Sequence, residues 1–424
     1  MDAIEAWKRE LDTPTEAFFG AFAARVRMPD GPRDTVREAI KALVPRIAWE
    51  SYLPHVPHGL LGLDAVFRLR PLLPEASFHR VLATQLHAFA HEGRRRTPWD
   101  ISAGSGHWPH VAMAIQRHMP ALAYGEMQGI EQPEEADFTR VGEAIAPDMA
   151  NMGHKAVMAH RMRELFVALD RPKATGRRLA GIAAWLAASE PEDRFWAKRA
   201  VARIGEGFTV PAAGTAFADG DAAVREICDL GLVEMLNAFT ARLKAGAAQP
   251  ALLDALVRAA SEKQLDARRD LEGKTSWTFT YLATLAGAQA AHGQAWCQAA
   301  ALVNLFPTDE VAGRVRSKAP LGPVTEAALV DAILDSEPEQ AMGLAAALDG
   351  DVALQSLAEA ATQNDPAFNH SHHLLAAAAA ADLAPRISSE ARTVMLAAIA
   401  KSLANSQGSS DLGRKADKAF AQLP

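Results

Sequence analysis

The chemistry open to this chain rests on its histidines. Fourteen are spread through 424 residues, and most fall in short groups. The stretch "NHSHHLLAAAAAADL", residues 369–383, sets His370, His372 and His373 within four positions at the mouth of an alanine-rich segment. In "YLPHVPHGLLGLDAVFRL", Pro54 and Pro57 hold His55 and His58 in an extended or first-turn segment. "QLHAFAHE" places His87 and His91 at i and i+4, on one helix face. His107, His110 and His118 form a fourth group, His154 and His160 a fifth, and His292 stands alone. Imidazole titrates near neutrality, so several imidazoles in one space suit proton abstraction from an acidic phenol or enol.

That chemistry needs an apolar pocket with a few well-placed polar groups. Trp108, Trp277, Phe279, Tyr281 and Trp296 are the aromatic residues that could line one, the alternative being plain core. A metal has a weaker sequence signature. His87 and His91 have valid ligand spacing, but neither HExxH nor a Glu-x-x-His pair accompanies them, and Glu92 falls off their shared face. The expectation is therefore no metal and no other cofactor. A metal-dependent oxygenase, the reading set aside, would use His87 and His91. "AGSGH" is not a nucleophile elbow, and no glycine-rich phosphate loop opens a helix, so a nucleotide has no support. Two cysteines, Cys228 and Cys297, make neither a disulfide framework nor a zinc site and read as small core residues.

The elements that must position these groups are helices. Alanine, leucine, arginine and glutamate dominate, and apolar residues recur at i, i+3, i+4 and i+7. Period-2 runs bounded by turns are hard to find. The fold class expected is all-α, a multi-helix bundle or α-solenoid-like array with little or no sheet. The irregular, Gly- and Pro-containing stretch 205–221 reads as a linker or long loop between helical halves 1–204 and 222–424, packed as one unit. The net charge of −7 argues against nucleic acid as a partner. Arg94-Arg95-Arg96 and Arg177-Arg178 read as solvated helix ends. No apolar stretch approaches the ~20 residues a membrane span needs, and the first residues lack a signal-peptide pattern, so a cytoplasmic protein is expected.

One family pattern is visible. "IKALVPRIAWESYLPHVPHGLLGLDAVFRLRPLL", residues 40–73, resembles a segment of the questin oxidase-like proteins. Val44-Pro45-Arg46, then His58-Gly59-Leu60-Leu61, and Arg68 ten residues after the histidine fit its pattern. "VLATQLHAFAHEGRRRTP" looks like the next family helix. "AAHGQAWCQAAALVNLFP" and "FNHSHHLLAAAAAA" are similar to its later histidine-led helices. The family's second histidine falls on Ala65, beside Asp64, and Leu375 and Ala376 stand where its late lysine is expected.

The resemblance implies an all-α oxidoreductase of secondary metabolism. It would act on an aromatic or polyketide-like small molecule by a Baeyer–Villiger-type or related oxidation, with dioxygen as a candidate co-substrate. A histidine base would make a reactive phenolate or enolate, and the enzyme would orient it and exclude water. The residues expected to act are His58, Arg68, His292 and His373. His58 or His373 would be the base, and Arg68 would hold an oxyanion through its planar fork, with an ordinary salt bridge as its alternative. Trp108, Trp277 and Trp296 would contact the substrate. His370 and His372 read as cap or loop residues, and His373 as the one directed inward. Partners beyond the small molecule are not indicated, and a homo-oligomer stays open. The competing reading is a non-catalytic helical-repeat scaffold that binds a protein. A scaffold would scatter its histidines on outer faces, whereas an enzyme would gather at least three around one site.

Overall fold

The composition is realised as helix upon helix. The computed structural model describes residues 2–47, 56–92, 97–145, 148, 150–189, 208–213, 220–266, 277–289, 291–305, 320–366, 368, 370–408 and 411–422. Among them are 21 α-helices and no strand, so the chain is all-α. An isolated antiparallel bridge pairs Thr209 with His292. His55 and Arg94-Arg95-Arg96 lie outside the described residues. Arg177 and Arg178 are not solvated ends: they sit in the first turns of Lys173–Ala187 and donate to the Glu131 carbonyl and the Tyr124 hydroxyl, each at 2.8 Å. No described helix is long and apolar enough to cross a membrane.

Helix ends follow local sequence. Thr325, Asp349 and Ser388 each accept from backbone N–H groups of the turn they open. Glu134 and Asp137 form a reciprocal capping box. Of the stretch 205–221, residues 208–213 and 220–221 are described. Val210 N–H donates to the Ala291 carbonyl and Gly293 N–H to that of Phe208, which ties the segment to the turn before Gly293–Asn304. Gly220 and Asp221 already belong to the helix Gly220–Asp229. One hydrophobic core draws residues from both sides of this stretch. Cys297 is buried in it and Cys228 is half-buried.

Two buried lysines close helix ends. Lys401, 1% exposed, donates to the carbonyls of Gln264 and Leu265 at 3.0 and 2.7 Å, near the end of Gln249–Asp266. Lys155 reaches the Ser189 carbonyl at 2.7 Å and Asp148 at 2.6 Å. A cation satisfies terminal carbonyls that otherwise lack donors and meets the negative end of the helix dipole. Replacing Lys401 by methionine is expected to cost about 1.5–3 kcal/mol, the range for hydrogen bonds from a charged donor. Urea denaturation checks it, and an unchanged midpoint would refute the capping role.

Four helices frame the interior that matters for function: His58–Leu69, Ala150–Ala168, Trp277–Thr284 and His372–Leu383. The first and second pack on each other. The fourth packs on the first and third, and the third on the second. The last is alanine-rich and buried from His372 to Ala380, which lets its neighbours approach closely.

Candidate functional site

His58 and His372 are each the first residue of their helix, and His154 lies near the start of a third. Their imidazoles meet. The His58 ring centroid lies 5.5 Å from that of His154 and 5.2 Å from that of His372. One ligand nitrogen from each lies within 4.8 Å of the other two. His154 and His372 are buried and His58 is half-buried. A fourth histidine, His370, stands 5.4 Å from His58 on the exposed side. Trp277 lies flat on His154, with ring centroids 3.7 Å apart and planes at 9°.

Local backbone delivers these side chains. His154 follows two residues in the left-handed region, Met152 (φ 54°) and Gly153 (φ 80°). His372 follows another such pair, His370 (φ 51°) and Ser371 (φ 64°). Non-glycine residues in that region carry strain and concentrate at functional sites. The Met152 carbonyl accepts from Trp277 Nε1 at 3.0 Å, which fixes the indole against His154.

Gln85, fully buried on the helix Glu75–His91, locks the two histidine-led helix starts together. Its Nε2 donates to the Gly59 carbonyl at 3.1 Å, and its Oε1 accepts from Ser371 Oγ at 3.0 Å. Gly59 N–H donates to Glu92 Oε2 at 3.0 Å. The glycines of "HGLLG" are spatial requirements: a Cβ at Gly62 would fall 2.4 Å from the Gln85 amide, and one at Gly59 2.7 Å from Phe89 Cβ.

Ten residues further along the same three helices lies a layer of charge. Arg68 pairs with Glu164 at 3.2 Å and contacts Asp382. Arg161, fully buried, reaches Asp382 at 3.0 Å and Asp64 at 3.5 Å. Each helix thus carries a histidine and then a charged partner at the same offset: His58 and Arg68, His154 and Glu164, His372 and Asp382. At 1.5 Å per residue the two layers are about 15 Å apart. Burial pushes the Asp64 carboxyl up to about 6 and the Arg161 guanidinium down to about 10, so desolvation outweighs mutual attraction for both. His160 sits in the same region and is held well below its ordinary value by burial and by the neighbouring arginines.

The structure brings together some of the expected residues and separates others. His58 and Trp277 are at the cluster. Arg68 is committed to carboxylates on neighbouring helices, which is the salt-bridge alternative. His372, read as a cap or loop residue, is buried and meets His58, and His373 does not. His373 Nδ1 accepts from the Asn364 amide, and its Nε2 donates to Ser406 Oγ at 2.6 Å, which in turn donates to the Ser402 carbonyl. Burial first, then His372, pushes His373 down to about 3, so it is a neutral strut rather than a base. His292 precedes Gly293–Asn304 and pairs with Thr209. Trp296 is buried in the core, and Trp108 stacks with the Arg140 guanidinium at 5.8 Å. His87 and His91 stack on each other at 4.1 Å, and no third metal-ligating side chain joins them among the described residues. In the sequence His154 stands only as one of a pair with His160, and Gln85, Asp64 and Arg161 carry no site role. The ten-residue offset shared by three histidines and three charged residues is the signal that could have found His154.

Comparison of the chain with protein-family models, with curated proteins and with solved structures finds no match.

Proposed function

We propose that this protein is an oxidoreductase acting on an aromatic or polyketide-like small molecule, with His58, His154 and His372 as ligands of a divalent first-row transition metal at its centre. The observation that carries the reading is the convergence of three imidazole nitrogens, from three helices, within 4.8 Å. Metal–nitrogen bonds of about 2.1 Å set ligand atoms roughly 3–3.5 Å apart, so side-chain shifts of about 1 Å close the triad on an ion. Three imidazoles suit zinc, copper, iron or nickel, and three protein ligands leave positions open. In those positions the ion supplies Lewis-acid or redox chemistry.

The chain's own residues do the rest. Trp277, itself buried, walls one side of His154 and holds that imidazole in place. His370, exposed and next to His58, stands where a phenol proton can be taken up and passed to solvent. The resemblance of residues 40–73 to questin oxidase-like proteins supplies the reaction class: oxidation of an electron-rich phenol or enol, with dioxygen as the oxidant. A scaffold would not need buried imidazoles gathered behind two strained turns.

Protein purified without chelator is expected to hold about one equivalent of metal per chain. Stripped protein titrated with cobalt(II) should show the visible absorption of a nitrogen-ligated ion, and oxygen uptake with a polyhydroxyanthraquinone should need the metal. Stripped protein that binds no cobalt or zinc, yet still consumes oxygen, returns the site to cofactor-free base catalysis by histidine. Loaded protein that consumes none with a panel of polyphenols refutes the oxidase.

A further inference from the structure

A second feature lies away from the triad. A cleft of about 1010 Å³ opens between the helices Ala3–Asp12, Phe18–Val26, Glu75–His91 and Leu412–Ala421. On one side a column of rings is stacked. Phe19 lies on His87 with centroids 5.2 Å apart and planes at 16°, and His87 lies on His91 at 4.1 Å and 30°. His91 Nδ1 is tied to the His87 carbonyl at 2.9 Å, which holds the outermost ring in place. His91 is exposed and lines the cleft, so the column ends in an aromatic face open to a ligand. Alanines make up much of the remaining wall.

The charge of the lining is one-sided. Arg9, Lys415 and Lys418 contribute three cations, against one carboxylate, Glu16. Lys415 and Lys418 are exposed and form no ion pair among the described residues. Arg9 approaches Glu10 only at 3.7 Å, and the other oxygen of that carboxylate is taken by Thr15. His87 feels the same field: burial, His91 and Lys415 together push it down to about 4. A lining with three cations against one carboxylate, its two lysines without an ion pair among the described residues, lies next to a flat aromatic surface and is complementary to a flat anion.

We propose that this cleft is a binding site for a planar aromatic carboxylate, its ring continuing the Phe19–His87–His91 column and its charge held by Lys415 and Lys418 with Arg9 beside them. The site is independent of the metal reading, because none of its residues belongs to the triad.

Calorimetric titration with 2-naphthoate tests it, with 2-naphthamide as the uncharged match in shape. Saturable binding of the acid is expected, at least tenfold tighter than the amide and weakened by raised ionic strength. Lys415→Gln with Lys418→Gln, at exposed positions that leave the fold intact, should weaken the acid at least tenfold and leave the amide unchanged. His91→Ala should weaken both. His58→Ala should weaken neither, which separates this cleft from the triad. Equal affinity for acid and amide, acid binding unaffected by the lysine variants, or no binding at all overturns the proposal. Inorganic phosphate competing as well as 2-naphthoate would reduce the cleft to a simple anion site and overturn the aromatic assignment.

Discussion

Urea denaturation of Arg161→Leu is expected to show a loss of about 3–5 kcal/mol, the range for removing one partner of a buried ion pair. Arg161 is fully buried, and Asp64 is 1% exposed. Neither Asp64 oxygen has a hydrogen-bond partner among the described residues, so the 3.5 Å approach of Arg161 is its main compensation. Asp382 is better protected, because it keeps Arg68 when Arg161 is lost. The variant therefore strands one buried carboxylate. Replacing Asp64 by leucine as well should recover most of the loss, because a buried pair exchanged for apolar side chains is often neutral. A double variant as unstable as the single one would show that the destabilisation comes from packing, not charge.

The pH dependence has a defined sign. In the folded wild type the Asp64 carboxyl titrates near 6, above its ordinary value of 3.8. The folded state holds that proton more tightly than the unfolded chain, so Asp64 lowers stability as pH rises from about 4 to about 6. Loss of Arg161 raises the folded value further. The variant then keeps losing stability above pH 6, where the Asp64 contribution in wild type has levelled off. The gap between the two should be smallest near pH 4 and widen above pH 6 by up to about 1.4 kcal/mol per unit.

The same network shows why the fold was legible and the site only partly so. Helix formation is local: propensity, capping side chains and 3.6-residue periodicity can be read from any window, and the all-α outcome follows from them. The first half of the site was also local. "HGLLG" is a helix start whose first glycine admits Phe89 and whose second admits Gln85, and His58 stands at its head. The remainder depends on how helices rotate against one another. His372 and His373 are neighbours about 100° apart around one helix axis. Only the rotation of that helix decides which of them meets His58. "LLAAAAAA" is apolar all round, so it carries no polar face from which to read that rotation. His154 is even less visible, being 96 residues from His58 in sequence and 218 from His372. Arg68 looked like an anion holder because its carboxylates, Glu164 and Asp382, lie on other helices. Nothing in composition distinguishes Trp277, which packs on a histidine, from Trp296, which packs in the core.

The adjacent pair His372 and His373 separates the metal site from its support most sharply. His372→Ala removes one of three proposed ligands. It should lower metal affinity by more than about a hundredfold, beyond the 10–100-fold seen for residues that only orient a ligand. Some folding stability should go with it, because the imidazole is buried in ring contact with His58 and Trp277, so the loss of metal is the distinguishing readout. His373→Ala should cost stability and keep the metal. It takes the acceptor from the buried Asn364 amide N–H, at about 1–3 kcal/mol, while the Ser406 hydroxyl keeps its bond to the Ser402 carbonyl. Metal stoichiometry should survive, since the Gln85 contact with Ser371 still places the start of the helix. Metal analysis and urea titration of the two variants, side by side, read both effects. If His373→Ala also empties the site, the rotation of the helix depends on the Asn364–Ser406 strut, and the two residues act as one unit. If His372→Ala retains its metal, the triad is not the centre, and His58 must find its chemistry with His370 instead.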